Sequence, residues 1–375
     1  MPSYTVSVQD TSPFLTYTGS WRAGHSSDDP FAERYSESSF TVTSALSSAL
    51  SFTFYGTGAA IFGSKRPQGH GRYQVTLDGA PQPEGTSVSA TNEFNATLWQ
   101  SANVGKGWHT VVLTNREGRF LDVDTVSWVG SVGTDDEPLI VNTMQDTHPA
   151  FTYTPTDAWS TSPFNVGQFA GASGHWTSTP GASVQVTFKG DAIALYGPVG
   201  PQAASSFSVA LADRPATNYS AQKEFFRARQ LLYYGANLGA GEHTLTMNLD
   251  SAGATAGQTL AVDYAEVYTA ESLGGSFAGE MSSSPNQTGL AIGLALSAAL
   301  AFLSLALLGV LFAMYKKGRI AFTPHKSRSE IDPDSSYLDH SQERVVGGGG
   351  CTKTTRATHP TSRSGTGSAS GRGSR

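Results

Sequence analysis

The sequence predicts an all-β chain made of two tandem copies of one β-sandwich, followed by a single transmembrane helix and a disordered tail. Three observations carry this. Four sequence blocks recur in the same order at nearly constant separation. The segments between them alternate apolar and polar residues, the pattern of half-buried strands. Residues 289–314 form a run of 26 residues without a charge.

The repeat comes first because it fixes the domain organisation. Gln9 to Thr18 matches Gln145 to Thr154, and Trp21 has its counterpart in Trp159. Phe52-Thr53-Phe54, closing on Ile61-Phe62-Gly63, matches Val186-Thr187-Phe188, closing on Leu195-Tyr196-Gly197. Ala102 to Thr110 matches Ala236 to Thr244, and Leu121 to Asp124 matches Leu260 to Asp263. The modules span residues 1–134 and 135–273. Each carries a full set of strand-like segments, so each is expected to fold alone.

Strands are read at 51–54, 72–77 and 109–113, and again at 184–188, 207–211 and 244–249, from period-two patterning. Asp78-Gly79 supplies a tight turn. Gly, Pro, Ser and Asn separate the segments, as in sandwiches and barrels. Ala221 to Leu232 has a helix-like composition, but its place in the repeat makes it strand and loop.

These motifs resemble the galactose-binding-domain-like jelly-roll β-sandwich, a fold common among carbohydrate-binding modules. The resemblance rests on Tyr17-x-Gly19-x-Trp21, Phe52-x-Phe54-x-Gly56-Thr57-Gly58, Leu77-Asp78-Gly79, the Gly107-x-His109-Thr110 strand start and a final Asp-bearing strand. It covers about residues 2–320. Tandem modules before a span and a Ser-rich tail are similar to a family of fungal surface proteins. The resemblance implies sugar binding without naming the sugar. The second module departs from it at Pro155 to Trp159 and at Ala212-Asp213-Arg214, so binding is expected mainly in module one.

Residues 274–288 read as a flexible Gly/Ser linker. The run at 289–314 exceeds the roughly 20 residues needed to cross a bilayer. Lys316, Lys317 and Arg319 follow it and mark the cytosolic side. Residues 315–375 are poor in large apolar groups and are expected to be disordered. They hold 11 Lys and Arg against 5 Asp and Glu; of the chain's 24 and 30, this leaves 13 against 25, a net charge of −12, for residues 1–314. An acidic outer part excludes nucleic-acid binding, which needs a basic face. The sole cysteine, Cys351, lies in the tail, where it reads as a reduced thiol rather than a palmitoylation site. The N-terminus shows no signal peptide. The native chain is therefore expected to begin earlier, and the orientation stays open if it begins at Met1. The expected location is the plasma membrane, modules outside and tail in the cytosol.

No sequence motif of a hydrolase, a nucleotide site or a zinc site stands out, so the expectation is a chain that is not an enzyme. Sugar faces stack on exposed aromatic rings. Trp21, Trp99 and Trp108, with Trp159 and Trp176 in the second module, are the candidates; repetition of Trp21 as Trp159 favours a packing role for that pair. Lys65, Arg66 and Arg72 belong to a polar loop suited to a hydroxylated or anionic ligand. His109 and His243 are read as ring-to-backbone anchors. Asp122 and Asp124 share a strand face; they could be hydrogen-bonded anchors, ligands of a structural calcium, or a glycosidase pair. Asn95 and Asn218 lie in glycosylation sequons, whereas Asn286 stands too near the span. The function expected is cell-surface binding of a glycan or cell-wall polysaccharide. The alternative is an adhesion or signalling sensor with a protein partner outside and a cytosolic partner for the tail.

Overall fold

A computed structural model describes residues 1–277 except 28, 102, 103, 213 and 252–256. The chain divides into two units, Met1–Pro285 and Asn286–Arg375. The expected span 289–314, the tail 315–375, most of the linker, Asn286 and Cys351 lie outside the described residues. Among the described residues no helix is long and apolar enough to cross a membrane.

The first half sets two antiparallel sheets face to face. One runs in the order Ser3–Gln9, Thr125–Ser131, Gly58–Lys65, Glu93–Gln100. The other runs Thr16–Thr18, Ala49–Gly56, Gly107–Asn115, Arg72–Leu77, Ala80–Pro81. A ribbon of Arg22–Ala23, Thr41–Thr43 and Leu121–Val123 lies beside them. The second half repeats the plan. Its sheets are Ile140–Gln145, Tyr264–Thr269, Ala192–Val199, Arg227–Gly235 and Phe151–Thr154, Ser183–Lys189, Glu242–Leu249, Phe207–Leu211, Thr217–Tyr219. Its ribbon is Ser160–Thr161, His175–Thr177, Leu260–Val262. The helix-like stretch resolves into loop up to Phe226 and strand from Arg227.

Alternation explains the strands. Ser3–Gln9 buries Tyr4, Val6 and Val8, and Ser183–Lys189 buries Val184, Val186 and Phe188, each on one face. The repeated blocks have local causes. Gly63 and Gly197 recur because a Cβ there would stand 2.4 Å from the Asp122 carbonyl or 2.5 Å from that of Ala261. Tyr17 and Tyr153 donate their hydroxyls back to the Asp10 and Asp146 carbonyls, at 3.0 and 2.8 Å. The Asp124 carboxylate accepts the Ser36 N–H, and that of Asp263 the Ala170 N–H. His109 and His243 each bond through Nε2 to the carbonyl of the residue four before, at 2.7 and 3.1 Å.

The halves share one buried cluster, and we propose that they fold together rather than each alone. Leu231, Tyr234 and Tyr268 of the second half pack in one buried cluster with Val6, Leu50 and Trp128 of the first. Tyr4 stacks on Tyr268 at 4.0 Å and meets the Tyr234 hydroxyl at 2.8 Å. Thr11 donates to the Gln230 carboxamide at 2.7 Å, and Ser12 to the Leu231 carbonyl at 2.6 Å. The sequence hid this because these apolar residues obey the same alternation as those inside each half.

Burial also makes stability depend on pH. It pushes the Asp10 carboxyl up to about 6, and those of Asp124 and Asp263 up to about 7, against an ordinary value of 3.8. A raised folded value means that the folded state holds the proton more tightly than the unfolded chain. Their favourable contribution is complete below the unfolded value and is lost as pH rises through the folded one. The melting midpoint is therefore expected to fall between about pH 4 and about pH 7. Asp124→Asn with Asp263→Asn should flatten that slope in a thermal scan. An unchanged slope would contradict the assignment.

Candidate functional site

The residues singled out in module one are mostly spoken for. Trp99 is 9% exposed and belongs to the core, so it is no sugar platform. Its counterpart by strand register is Tyr233, also buried: Trp99 faces Ile61 and Tyr233 faces Leu195 in the two equivalent strand pairs. Trp21 is half-buried, edge-on to Tyr17 at 5.1 Å, with Nε1 donating to the Thr18 carbonyl. Trp159 is buried against Tyr153, so the repeated tryptophans are packing residues.

Trp108 is 46% exposed, but its surroundings are partly filled. Tyr55 stands at 5.4 Å, and the Arg214 guanidinium lies over the ring at 5.5 Å. Arg214 is itself held by the Ala236 and Asn237 carbonyls. Arg72 points outward and pairs with Glu117 and Glu84. Lys65 is half-buried at a strand end, opposite Glu93. Asn95 and Asn218 are exposed.

Arg66, expected to meet ligand, instead closes a plug. Its guanidinium forks onto Asp29, through Nη1 at 3.1 Å and also through Nη2, and donates to the Tyr35 hydroxyl at 2.7 Å. It lies over the Phe94 ring at 4.9 Å. Tyr35 and the Ser64 N–H and hydroxyl donate to Asp122, at 3.1, 2.6 and 2.5 Å, and His70 Nε2 stands 3.1 Å from it. Burial and the adjacent Asp122 carboxylate hold the Tyr35 hydroxyl well above its ordinary range. Donors thus occupy the Asp122 and Asp124 oxygens that a calcium would need. Among the described residues no three His, Cys, Asp or Glu side chains gather as metal ligands.

In the second half the plug is missing. Arg66 bridges Val88 and takes the Ser87 carbonyl; Gly200 bridges Gln222 and takes the Ala221 carbonyl, so Gly200 stands where Arg66 does. Asp122 faces Val42 across the ribbon, as Ala261 faces Trp176. By the same register Phe94 becomes Ala228. Where Gly200 and Ala261 stand in place of Arg66 and Asp122 there is a cavity of about 590 Å³. Pro163, Phe164, Trp176, Pro198, Pro201 and Phe226 give it apolar walls, and Glu224 supplies a carboxylate. Phe164 is 73% exposed and meets Phe226 edge-on at 5.7 Å. His25 of the first half pairs with Glu224 at 2.8 Å and packs edge-on to Phe225, so both halves build the rim.

The sequence had pointed to Trp176 but not to Phe164, Phe225 or Phe226. Two adjacent phenylalanines in a polar loop, out of step with any strand alternation, were the available signal.

No family model matches the chain. Among curated proteins it is similar to the "A type blood alpha-D-galactosamine galactosaminidase" of Flavonifractor plautii, 25% identical over 249 residues, 64% of this chain. The chain spans about a fifth of that relative's length, 21%. The expectation that the chain is not an enzyme is corrected by this relative, which is one. Similar solved structures include a Paenibacillus xanthan lyase, 13% identical, covering 68% of this chain and 25% of that one at a TM-score of 0.26. Another is the CBM36-1 domain of a multidomain xylanase from the hindgut metagenome of Trinervitermes trinervoides. It is 18% identical and covers 35% of this chain and all of that one, at a TM-score of 0.25.

Proposed function

We propose that residues 1–277 form a carbohydrate-recognition unit of the galactose-binding-like jelly-roll type, with its glycan site in the cavity of the second half. The observation that carries this is the contrast between the halves: the same position is plugged by Arg66 in one and open, with aromatic walls, in the other. A cavity of this size with apolar walls and few polar groups is the usual form of a small-ligand site. Its rings suit the C–H face of a pyranose, and Glu224 can accept from a hydroxyl. The relationship to a galactosaminidase supports a place in carbohydrate-active chemistry.

The test is a glycan screen with the purified full chain, with reducing-end release followed in parallel to detect turnover. Phe164→Ala should weaken binding by about tenfold or more, the scale of about 1.4 kcal/mol for an aromatic contact. Its exposure makes a folding defect unexpected. Trp108→Ala should bind as the wild type does. Normal binding by Phe164→Ala would refute the site.

We also propose that the unit is displayed outside the cell, on the strength of the 289–314 run and the cations after it. Protease added to intact cells should remove residues 1–277 and spare the tail. Protected modules would overturn this orientation.

A further inference from the structure

We infer that the groove beside this cavity is a second subsite, for a carboxylate-bearing sugar unit of the same glycan. The inference rests on the site proposed above and adds the ligand's charge. The groove has a volume of about 800 Å³ and runs along the junction of the halves. Phe226 lines both spaces, so a chain bound in the first can continue into the second.

Its chemistry differs from that of the cavity. Arg227, Arg229, Tyr196, Tyr264 and Gln9 line it, and the two tyrosines stack at 4.5 Å. The residues up to 314 carry a net charge of −12, so Arg227 and Arg229, two residues apart on one strand, are a local concentration of positive charge. Glu37 also lines the groove, but the Gln230 amide holds it at 3.2 Å. Arg227 is engaged by backbone, its Nη1 donating to the Phe226 carbonyl at 2.9 Å and its Nη2 to the Ser38 carbonyl at 3.4 Å, which leaves Arg229 as the arginine open to a ligand.

Arg229 adds an independent sign. It makes no hydrogen bond or ion pair among the described residues, though its charge acts on Asp263. Its backbone is left-handed, with φ of 53°; its counterpart Asn95 has 49°. Asparagine accepts that conformation readily and arginine does not. Its exposed, unpaired guanidinium lines the groove, and guanidinium forks match carboxylates. Hexuronate units supply that carboxylate together with ring hydroxyls.

The experiment compares galacturonate and glucuronate oligomers with their methyl esters, which keep the shape and lose the charge. Titrated into the full chain at low salt, an acid form should bind at least tenfold more tightly than its ester. Arg229→Asn, which installs the residue suited to that backbone, should bring the ratio close to one; Phe164→Ala should weaken acid and ester alike. Equal binding of acids and esters, lost together in Phe164→Ala, would overturn this inference and leave the cavity reading standing. An acid preference that survives Arg229→Asn would also overturn it. Binding unaffected by Phe164→Ala would sink the cavity reading itself.

Discussion

Tyr234→Ala is expected to cost about 3–5 kcal/mol of stability, the range for removing a large aromatic from a core. Tyr234 is 4% exposed and joins the halves at three points. Its ring meets Trp128 at 5.0 Å and Phe14 at 6.1 Å, and its hydroxyl meets that of Tyr4. Deletion leaves a void that the surrounding sheets cannot collapse into, and it strands the Tyr4 hydroxyl in the interior. Tyr234→Phe keeps the ring and should lose only about 1–2 kcal/mol. Chemical denaturation of the wild type should show one transition for both halves, since they share this cluster. Two separate transitions, with Tyr234→Ala shifting only one of them slightly, would mean that the halves are independent.

Arg66→Ala is the second large effect expected, at about 3–5 kcal/mol, because removing one partner of a desolvated ion pair leaves the other charge uncompensated. Both side chains of the Arg66–Asp29 pair are 13% exposed. Beyond the ion pair, the change removes the donor to the Tyr35 hydroxyl and the cation over Phe94. Arg66→Lys keeps the charge but not the fork, and should recover only part of the loss. A loss under about 1 kcal/mol would show that the plug is a surface pair of little weight.

The duplication and most strands were legible because period-two alternation and repeated turn residues are local signals. The anchoring roles of His109 and His243 were legible for the same reason, each sitting four residues after the carbonyl it bonds. The site was not. Trp99 looked exposed because it does not recur as tryptophan, yet Tyr233 fills the same buried place with another ring. Arg66 looked like a ligand-facing cation because its partner, Asp29, lies 37 residues away in a loop. The open cavity comes from absences at Gly200 and Ala261, small residues that mean nothing until their counterparts are known to be large.

Calorimetric titration of the full chain with a glycan that it binds tests this most directly, through stoichiometry. One plugged and one open position predict a single site per chain, lost or weakened at least tenfold in Phe164→Ala and kept in Trp108→Ala. Two sites per chain, or a site abolished by Trp108→Ala and untouched by Phe164→Ala, would contradict the account.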